Sequence, residues 1–350
     1  MTVRILIGDV RAQLALMADN SVDVVVTSPP YWGLRDYDVD GQMGLERTLA
    51  EHMAAMVEVF REVRRVLKYT GVAWVNYGDS YAATVNGRSA AATKAAGNDN
   101  RTFRDKPFST VGGVFKAKDL CMLPQRLFIA LQEDGWFVRA VLPWVKRTAM
   151  PETARDRPAN ALEHVAMLTK SRRYFYNPDA VKRPASTKTN ARVSAEVLRG
   201  GGVAPTSPKA APDRSGGIRA NVSFQSATVG VVDRRNFRNT DLFFDSASGP
   251  WGLMLDERGE MLGLDVLARG FKDAHFATFP PDLVEPLLQA TCPPGGVVLD
   301  PFGGAGTTAL VAERLGFDST LIELKPEYAA MAMARIGRAL PNADIIMGAV

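Results

Sequence analysis

Seven short runs rich in β-branched and other apolar residues constrain this chain most: Val3–Ile7, Val22–Val26, Val72–Asn76, Val138–Val145, Val165–Thr169, Val297–Asp300 and Thr320–Glu323. Within each run the apolar character is nearly continuous. A strand wet on one face alternates polar and apolar positions, whereas a strand covered on both faces does not, so these runs predict a largely parallel sheet between layers of helix. The intervening segments supply the helices. Leu45, Leu49, Met53, Met56, Phe60, Val63 and Leu67 step by three or four along one face, with Gly71 as the expected stop. Leu310, Val311 and Leu315 repeat the pattern before Gly316. Strand alternating with helix predicts an α/β fold, doubly wound around a mostly parallel seven-stranded sheet.

Two stretches break the rhythm. Residues 83–118 are rich in Ala, Gly, Asn, Lys and Arg with little apolar periodicity, and read as a long mobile basic loop. Residues 183–270 hold Gly and Pro clusters such as RGGGVAPTSPKAAP, then candidate strands at Asp241–Phe244 and Gly252–Leu255, and read as a smaller inserted domain. The expected organisation is therefore 1–182, an insertion at 183–270, and 271–350. Net charge is only +4, yet from Lys182 to Arg238 eleven Lys and Arg stand against three acids, which favours a polyanionic partner. Cys121 and Cys292 are too few for a disulfide framework and lack metal-ligand spacing, so they read as small buried hydrophobes in a reducing interior. His52, His164 and His275 are scattered, and no metal site is expected. The N-terminal MTVRILIGDV lacks the apolar stretch of a signal peptide, and no segment approaches the ~20 apolar residues that span a bilayer. A cytoplasmic location is expected.

The stretch VVLDPFGGAGTTALVAERLGFDSTLIELKPEY reads as strand, glycine-rich turn, helix and second strand. Gly303, Gly304 and Gly306 let the backbone turn sharply and approach a ligand, and Glu323 stands where a carboxylate meets ribose hydroxyls. An adenosine-containing cofactor follows. Thr307 and Thr308 come directly after Gly306 with no Lys before them, unlike an ATPase phosphate loop, and Asp300 would repel the pyrophosphate of a dinucleotide. S-adenosylmethionine fits better, with adenosine for Glu323 and an α-ammonium drawn to Asp300 directly or through water.

Near the other end, Val22–Val26 runs into TSPPYW at residues 27–32. Pro29 and Pro30 lack a donor N–H and fix φ near −65°. They predict a stiff, extended loop.

TSPPYW and LDPFGGAGTT together, in that order and with a basic insertion between them, resemble the beta group of DNA amino-methyltransferases. The likeness extends through GDVRAQLALMADNSVDVVVTSPPYW, WVKRTAMPETARDRPANALEHVAMLTKSRRYFY and HFATFPPDLVEPLL, over most of the chain and most weakly between about 183 and 265. It implies a Rossmann-like methyltransferase fold, S-adenosylmethionine as cofactor, and Ser28, Pro29, Pro30 and Tyr31 as the catalytic tetrad. An exocyclic amino nitrogen is a poor nucleophile because its lone pair is delocalised. Acceptors such as the Ser28 hydroxyl and the Pro29 carbonyl would take its hydrogen bonds and favour a tetrahedral geometry, with Tyr31 stacking on the base.

The resemblance further places Asp9 near the adenine end of the cofactor, Thr278, Phe279 and Pro280 around its methionine part, and Phe302 beside it, joining Asp300, Gly303, Gly304, Gly306, Thr307 and Glu323. Trp32 and Arg35, with Asp36, follow the tetrad and would either reach the DNA or serve packing and salt bridging; Arg234, Arg235 and Arg238 would reach the DNA from the insertion, the expected target-recognition region. Trp144 and Lys146 would border the base pocket. Implied partners are double-stranded DNA with a flipped base, a second copy of the chain and a cognate restriction enzyme, with no membrane. Methylation at cytosine carbon five would need an attacking cysteine, and neither Cys121 nor Cys292 sits in such a motif. Serine in place of aspartate at 28 favours cytosine-N4 over adenine-N6. More distant alternatives are an RNA or protein methyltransferase and a catalytically silent DNA-binding protein.

Overall fold

The computed structural model describes residues 1–84, 107–146, 156–158, 160, 162–181, 183–184, 234–235 and 279–348. The elements run β1 (Thr2–Ile7), α1 (Val10–Leu16), β2 (Val22–Thr27), α2 (Leu49–Val66), β3 (Leu67–Gly78), α3 (Leu123–Glu133), β4 (Phe137–Val145) and β5 (Leu162–Thr169). After a two-residue pair, β6 (Arg183–Pro184) and β7 (Arg234–Arg235), come α4 (Pro281–Thr291), β8 (Val297–Asp300), α5 (Thr307–Arg314), β9 (Asp318–Glu323), α6 (Pro326–Ala339) and β10 (Asp344–Gly348). The chain divides into two compact units, Met1–Asn177 with Arg238–Val350, and Pro178–Phe237. Of the second unit the described strands are β6 and β7, paired antiparallel. The strands expected at Asp241–Phe244 and Gly252–Leu255 lie outside the described residues.

The larger unit holds an eight-stranded sheet in the order β10-β1-β9-β8-β2-β3-β5-β4. Among its described strands β5 alone runs against the rest: it pairs antiparallel with both β3 and β4, while the other five pairings are parallel. All seven expected strands are present, and β10 is an eighth. Its edge position explains why no continuous apolar run announces it, since Ile346 and Met347 are exposed. The central strand β2 is buried at every position, as its VDVVVT sequence demands. Helices α1 and α2 share one core with α3, built on Leu14, Met56, Phe60, Leu127 and Leu131. Helices α5 and α6 share another with β1 and β9, built on Val3, Ile5, Leu310, Leu321 and Ile336.

Local chemistry sets the boundaries. Thr48 and Glu51 exchange side chain to backbone hydrogen bonds across the first turn of α2, satisfying two otherwise orphan donors. The stop expected at Gly71 is corrected: α2 ends at Val66, and Gly71 lies within β3. A Cβ there would stand 2.6 Å from Leu67 Cδ1 and 2.8 Å from the Asp23 carbonyl, so glycine serves the close approach of β3 to β2 rather than a cap. Gly316 does follow α5 in left-handed conformation, at φ 80°. Part of the span read as a loop is packed: Phe115 and Thr110 are buried, and Phe108 and Phe115 lie against Trp32. Both cysteines are buried, and neither is bridged in a disulfide. Among the described residues no helix is long and apolar enough to cross a membrane.

Candidate active site

Strands β2 and β8 are parallel neighbours, with Val24 opposite Val298 and Val25 opposite Leu299. The loops that follow them, Ser28–Tyr31 and Pro301–Gly306, therefore leave the same edge of the sheet side by side. The carboxyl ends of parallel strands are where open α/β sheets bind ligands.

The glycine loop is shaped by close contacts. A Cβ on Gly303 would stand 2.9 Å from Leu321 Cβ, and Gly304 and Gly306 adopt φ of 50° and 74°. Gly303 N donates to the Ile322 carbonyl at 2.8 Å, and Gly304 N donates to Glu323 Oε2 at 2.8 Å. Glu323 Oε1 accepts from Lys325 N at 2.9 Å, so this carboxylate at the end of β9 braces the loop. Burial raises the Glu323 pKa, with hydrogen bonds from Lys325 and Gly304 opposing it. Asp9 caps α1 through Arg11 N and Ala12 N and pairs with the Arg11 guanidinium at 3.0 Å. Partial burial would raise its carboxyl, but these bonds outweigh it and hold the pKa below the ordinary value.

Asp300 ties the framework of the site together. Its Oδ1 accepts from Thr27 Oγ1 at 2.7 Å and Phe302 N at 3.1 Å, and its Oδ2 accepts from Thr308 Oγ1 at 2.7 Å. Both oxygens thus join β2, β8 and α5, and the residue is 1% exposed. Burial drives its pKa up to about 6, against the three hydrogen bonds that lower it. An unfolded chain releases this proton near pH 3.8. Rising pH therefore ionises the unfolded state first, and stability falls between about pH 4 and 6 by at most ~3 kcal/mol, with no further loss above. Asp300→Asn removes this titration. Its urea-unfolding free energy, relative to the parent, is expected to improve by up to ~3 kcal/mol from pH 4 to pH 7.5; a constant difference would contradict the assignment.

The second loop carries a polar cluster. Tyr31 stands edge-on to Tyr77, centroids 4.8 Å apart, and Tyr77 Oη lies 2.7 Å from His52 Nε2. The Tyr31 hydroxyl donates to Glu163 Oε2 at 3.0 Å, and Asn76 Nδ2 donates to the same oxygen at 2.7 Å. Ser28 Oγ lies 3.4 Å from both Tyr31 Oη and Asn76 Nδ2. Lys146 forms an ion pair with Glu163 and sits 5.0 Å over the Trp144 ring. Burial, then the charge of Glu163, pushes the Tyr31 phenol well above its ordinary pKa.

Both loops open onto one shared cavity. Of the expected site residues, Asp9, Ser28, Pro29, Pro30, Tyr31, Arg35, Phe279, Asp300, Phe302, Gly303, Gly304, Thr307 and Glu323 line it, as do Trp144 and Lys146. Gly306 and Pro280 are not among its lining residues; they are the N-caps of α5 and α4. Trp32 is corrected from a DNA contact to core: it is 4% exposed, and its indole N–H donates to the Glu46 carbonyl at 2.9 Å. Gly33, at φ 62°, turns the chain inward there. Thr278 and Arg238, and the side chains of Arg234 and Arg235, lie outside the described residues.

Asn76 and Glu163 line the cavity without being expected from sequence. So do Tyr37, Lys325 and Tyr328; Lys325 Nζ donates to the Tyr37 carbonyl at 2.8 Å, tying the segment after the tetrad to the start of α6. The available signal is a charge, Glu163, just ahead of the apolar run Val165–Leu168. Among the described residues no group of His, Cys, Asp and Glu could hold a metal ion.

A family model described as DNA methylase matches residues 22–334. A type II methyltransferase, M.XycI of Xanthomonas campestris pv. cyanopsidis, is 36% identical over 94% of this chain and 86% of its own. PvuII DNA methyltransferase, described as cytosine-N4-specific, superposes with TM-score 0.56 at 17% identity, covering 99% of this chain and 95% of that one. TTHA0409 of Thermus thermophilus, solved with S-adenosyl-L-methionine, gives 0.52 at 21% identity and covers 99% of both chains. At these identities the two structures speak for the fold: α/β, Rossmann-like and mostly parallel.

Proposed function

Because the chain belongs to the N6/N4 DNA methylase family, whose members methylate exocyclic amino groups of DNA bases, we propose that it acts on cytosine N4 within double-stranded DNA. S-adenosylmethionine supplies an electrophilic methyl on a sulfonium when bound. The residues fit that donor: the Glu323 carboxylate and the glycine turn at Gly304 border the cavity beside Asp9, and Phe279 and Phe302 give it apolar walls. The observation that carries the reading is the 2.7 Å hydrogen bond from Thr27 to Asp300, which locks the roots of the two loops together and holds Ser28 beside the glycine turn.

In this reading Ser28 Oγ and the Pro29 carbonyl receive the amino N–H groups of a flipped base, and the rigid prolines keep these acceptors aimed. Tyr31 presents its ring to the base while its hydroxyl stays tethered to Glu163. Asp300 fixes the two loops through its hydrogen-bond cluster and lines the cavity where the cofactor's ammonium is drawn, directly or through water. Arg35 lines the cavity and is suited to a DNA phosphate, and target recognition is assigned to the basic span 183–270. Cytosine is preferred because within the family serine at this position is commoner in cytosine enzymes and aspartate in adenine enzymes; adenine-N6 is the alternative, as hydroxyl and carboxylate can both accept the amino hydrogen bond. Nucleoside mass spectrometry of duplex DNA treated with the enzyme decides. N4-methylcytosine is expected; N6-methyladenine alone would reverse the base assignment, and no methylated nucleoside would sink the reaction.

A further inference from the structure

A serine is an ambiguous acceptor, because its hydroxyl carries a proton of its own. Turned into the cavity, that proton would oppose the amino N–H it has to receive. An aspartate in the same place has no such choice. The surroundings of Ser28 remove the ambiguity.

Glu163, the second residue of β5, stands opposite Gly78 in the antiparallel pairing with β3, and Asn76 lies two residues before Gly78 on β3. Gly78 leaves the space: a Cβ there would stand 2.6 Å from the Tyr31 ring and 3.1 Å from Glu163 Oε1. Buried beside that carboxylate, the Tyr31 phenol keeps its proton and has a single one to give. A carboxylate is the stronger acceptor, and it is also nearer, at 3.0 Å against 3.4 Å for Ser28. The phenol therefore donates to Glu163. The Ser28 hydroxyl then donates toward the Tyr31 oxygen, and its lone pairs remain for Asn76 Nδ2 and for the cavity.

We propose that Glu163 is a positioning residue: as an obligate acceptor ending the Ser28–Tyr31–Glu163 chain, it turns the Ser28 proton away from the target base, so that serine offers a lone pair as a carboxylate would. Lys146 balances the charge this requires within the pocket. The inference rests on the reading that Ser28 receives the amino group of a flipped base.

The test compares single-turnover methylation of duplex DNA by the parent, Glu163→Gln, Ser28→Asp and the double variant, with dissociation constants for S-adenosylmethionine and DNA measured alongside. Glutamine keeps the shape of Glu163 but can donate, so it no longer dictates direction. Glu163→Gln is expected to slow methyl transfer ~30-fold with both dissociation constants within about twofold. Ser28→Asp alone is expected to be slow because two carboxylates then crowd one site. The double variant is expected to run about tenfold or more faster than Glu163→Gln, since a carboxylate at 28 accepts without being turned. An unchanged rate in Glu163→Gln, or losses that simply add in the double variant, would overturn the proposal.

Should Glu163→Gln bind neither ligand, Tyr31→Phe carries the test. It removes one oxygen and keeps the ring, and a rate loss of ~10-fold with binding intact is expected; an unchanged rate would overturn the proposal equally. Failure of the parent enzyme to methylate any duplex would instead defeat the underlying function.

Discussion

Replacing Ser28 with alanine is expected to slow methyl transfer by ~100-fold, with S-adenosylmethionine affinity within about twofold of the parent, because one acceptor at the reacting amine is lost. The prediction is clean because Ser28 contributes little to holding its own loop. Among the described residues its hydroxyl makes two long contacts, of 3.4 Å each, to Tyr31 and Asn76. The loop is fixed elsewhere, by Thr27 on Asp300, by Tyr31 on Glu163 and by the two prolines. Alanine should therefore leave the framework standing. Single-turnover kinetics with equilibrium binding of cofactor and DNA separates the outcomes. A large fall in rate with unchanged binding fits an acceptor that acts in the transition state; weakened cofactor binding at an unchanged rate would make Ser28 part of the cofactor site instead.

The physical reason one part of this site is legible in the sequence, and another is not, lies in how each is built. Local segments announce themselves. The glycine turn and the proline loop are each a contiguous segment, and each follows a nearly continuous apolar strand, so both the strands and the loops can be read directly. The pairing of β3 with β5 is different. It brings Asn76 within 2.7 Å of Glu163, 87 positions along the chain, through a register no local pattern encodes. Trp32 misleads for a related reason: beside a catalytic loop an aromatic ring reads as a contact for DNA, and only the packing of Phe108 and Phe115 against it shows that it is core. Asp300 is legible in its place at the cavity but not in the contacts that hold it there. Its neighbours Thr27 and Thr308 are ordinary threonines in sequence, and become its donors only once β2 and α5 have converged on it.

Gly306→Ala is expected to destabilise the protein by ~3 kcal/mol and to weaken S-adenosylmethionine binding by about tenfold or more, through two additive causes. The first is conformational: Gly306 sits at φ 74° and ψ 27°, where a side chain costs roughly 1–2 kcal/mol. The second is steric. A Cβ there would stand 2.9 Å from Ala332 Cβ and 3.1 Å from Ile336 Cδ1, both on α6. Ala332 has no rotamer with which to yield, so the helix or the loop must shift. Arg335 of α6 donates to the Ala305 carbonyl and to Thr307 Oγ1 at 2.9 and 2.8 Å, on either side of Gly306, so a displaced helix pulls on the loop itself. Gly303 and Gly304 would then lose their hold on Ile322 and Glu323, which is why cofactor affinity should fall together with stability. Gly295→Ala is the control. It has φ 69° but nothing within 4 Å of a new Cβ, so it should show only the conformational cost of roughly 1–2 kcal/mol and bind the cofactor normally. Equal effects from the two substitutions in urea unfolding and calorimetric titration would mean that the contact of the glycine turn with α6 does not shape the site.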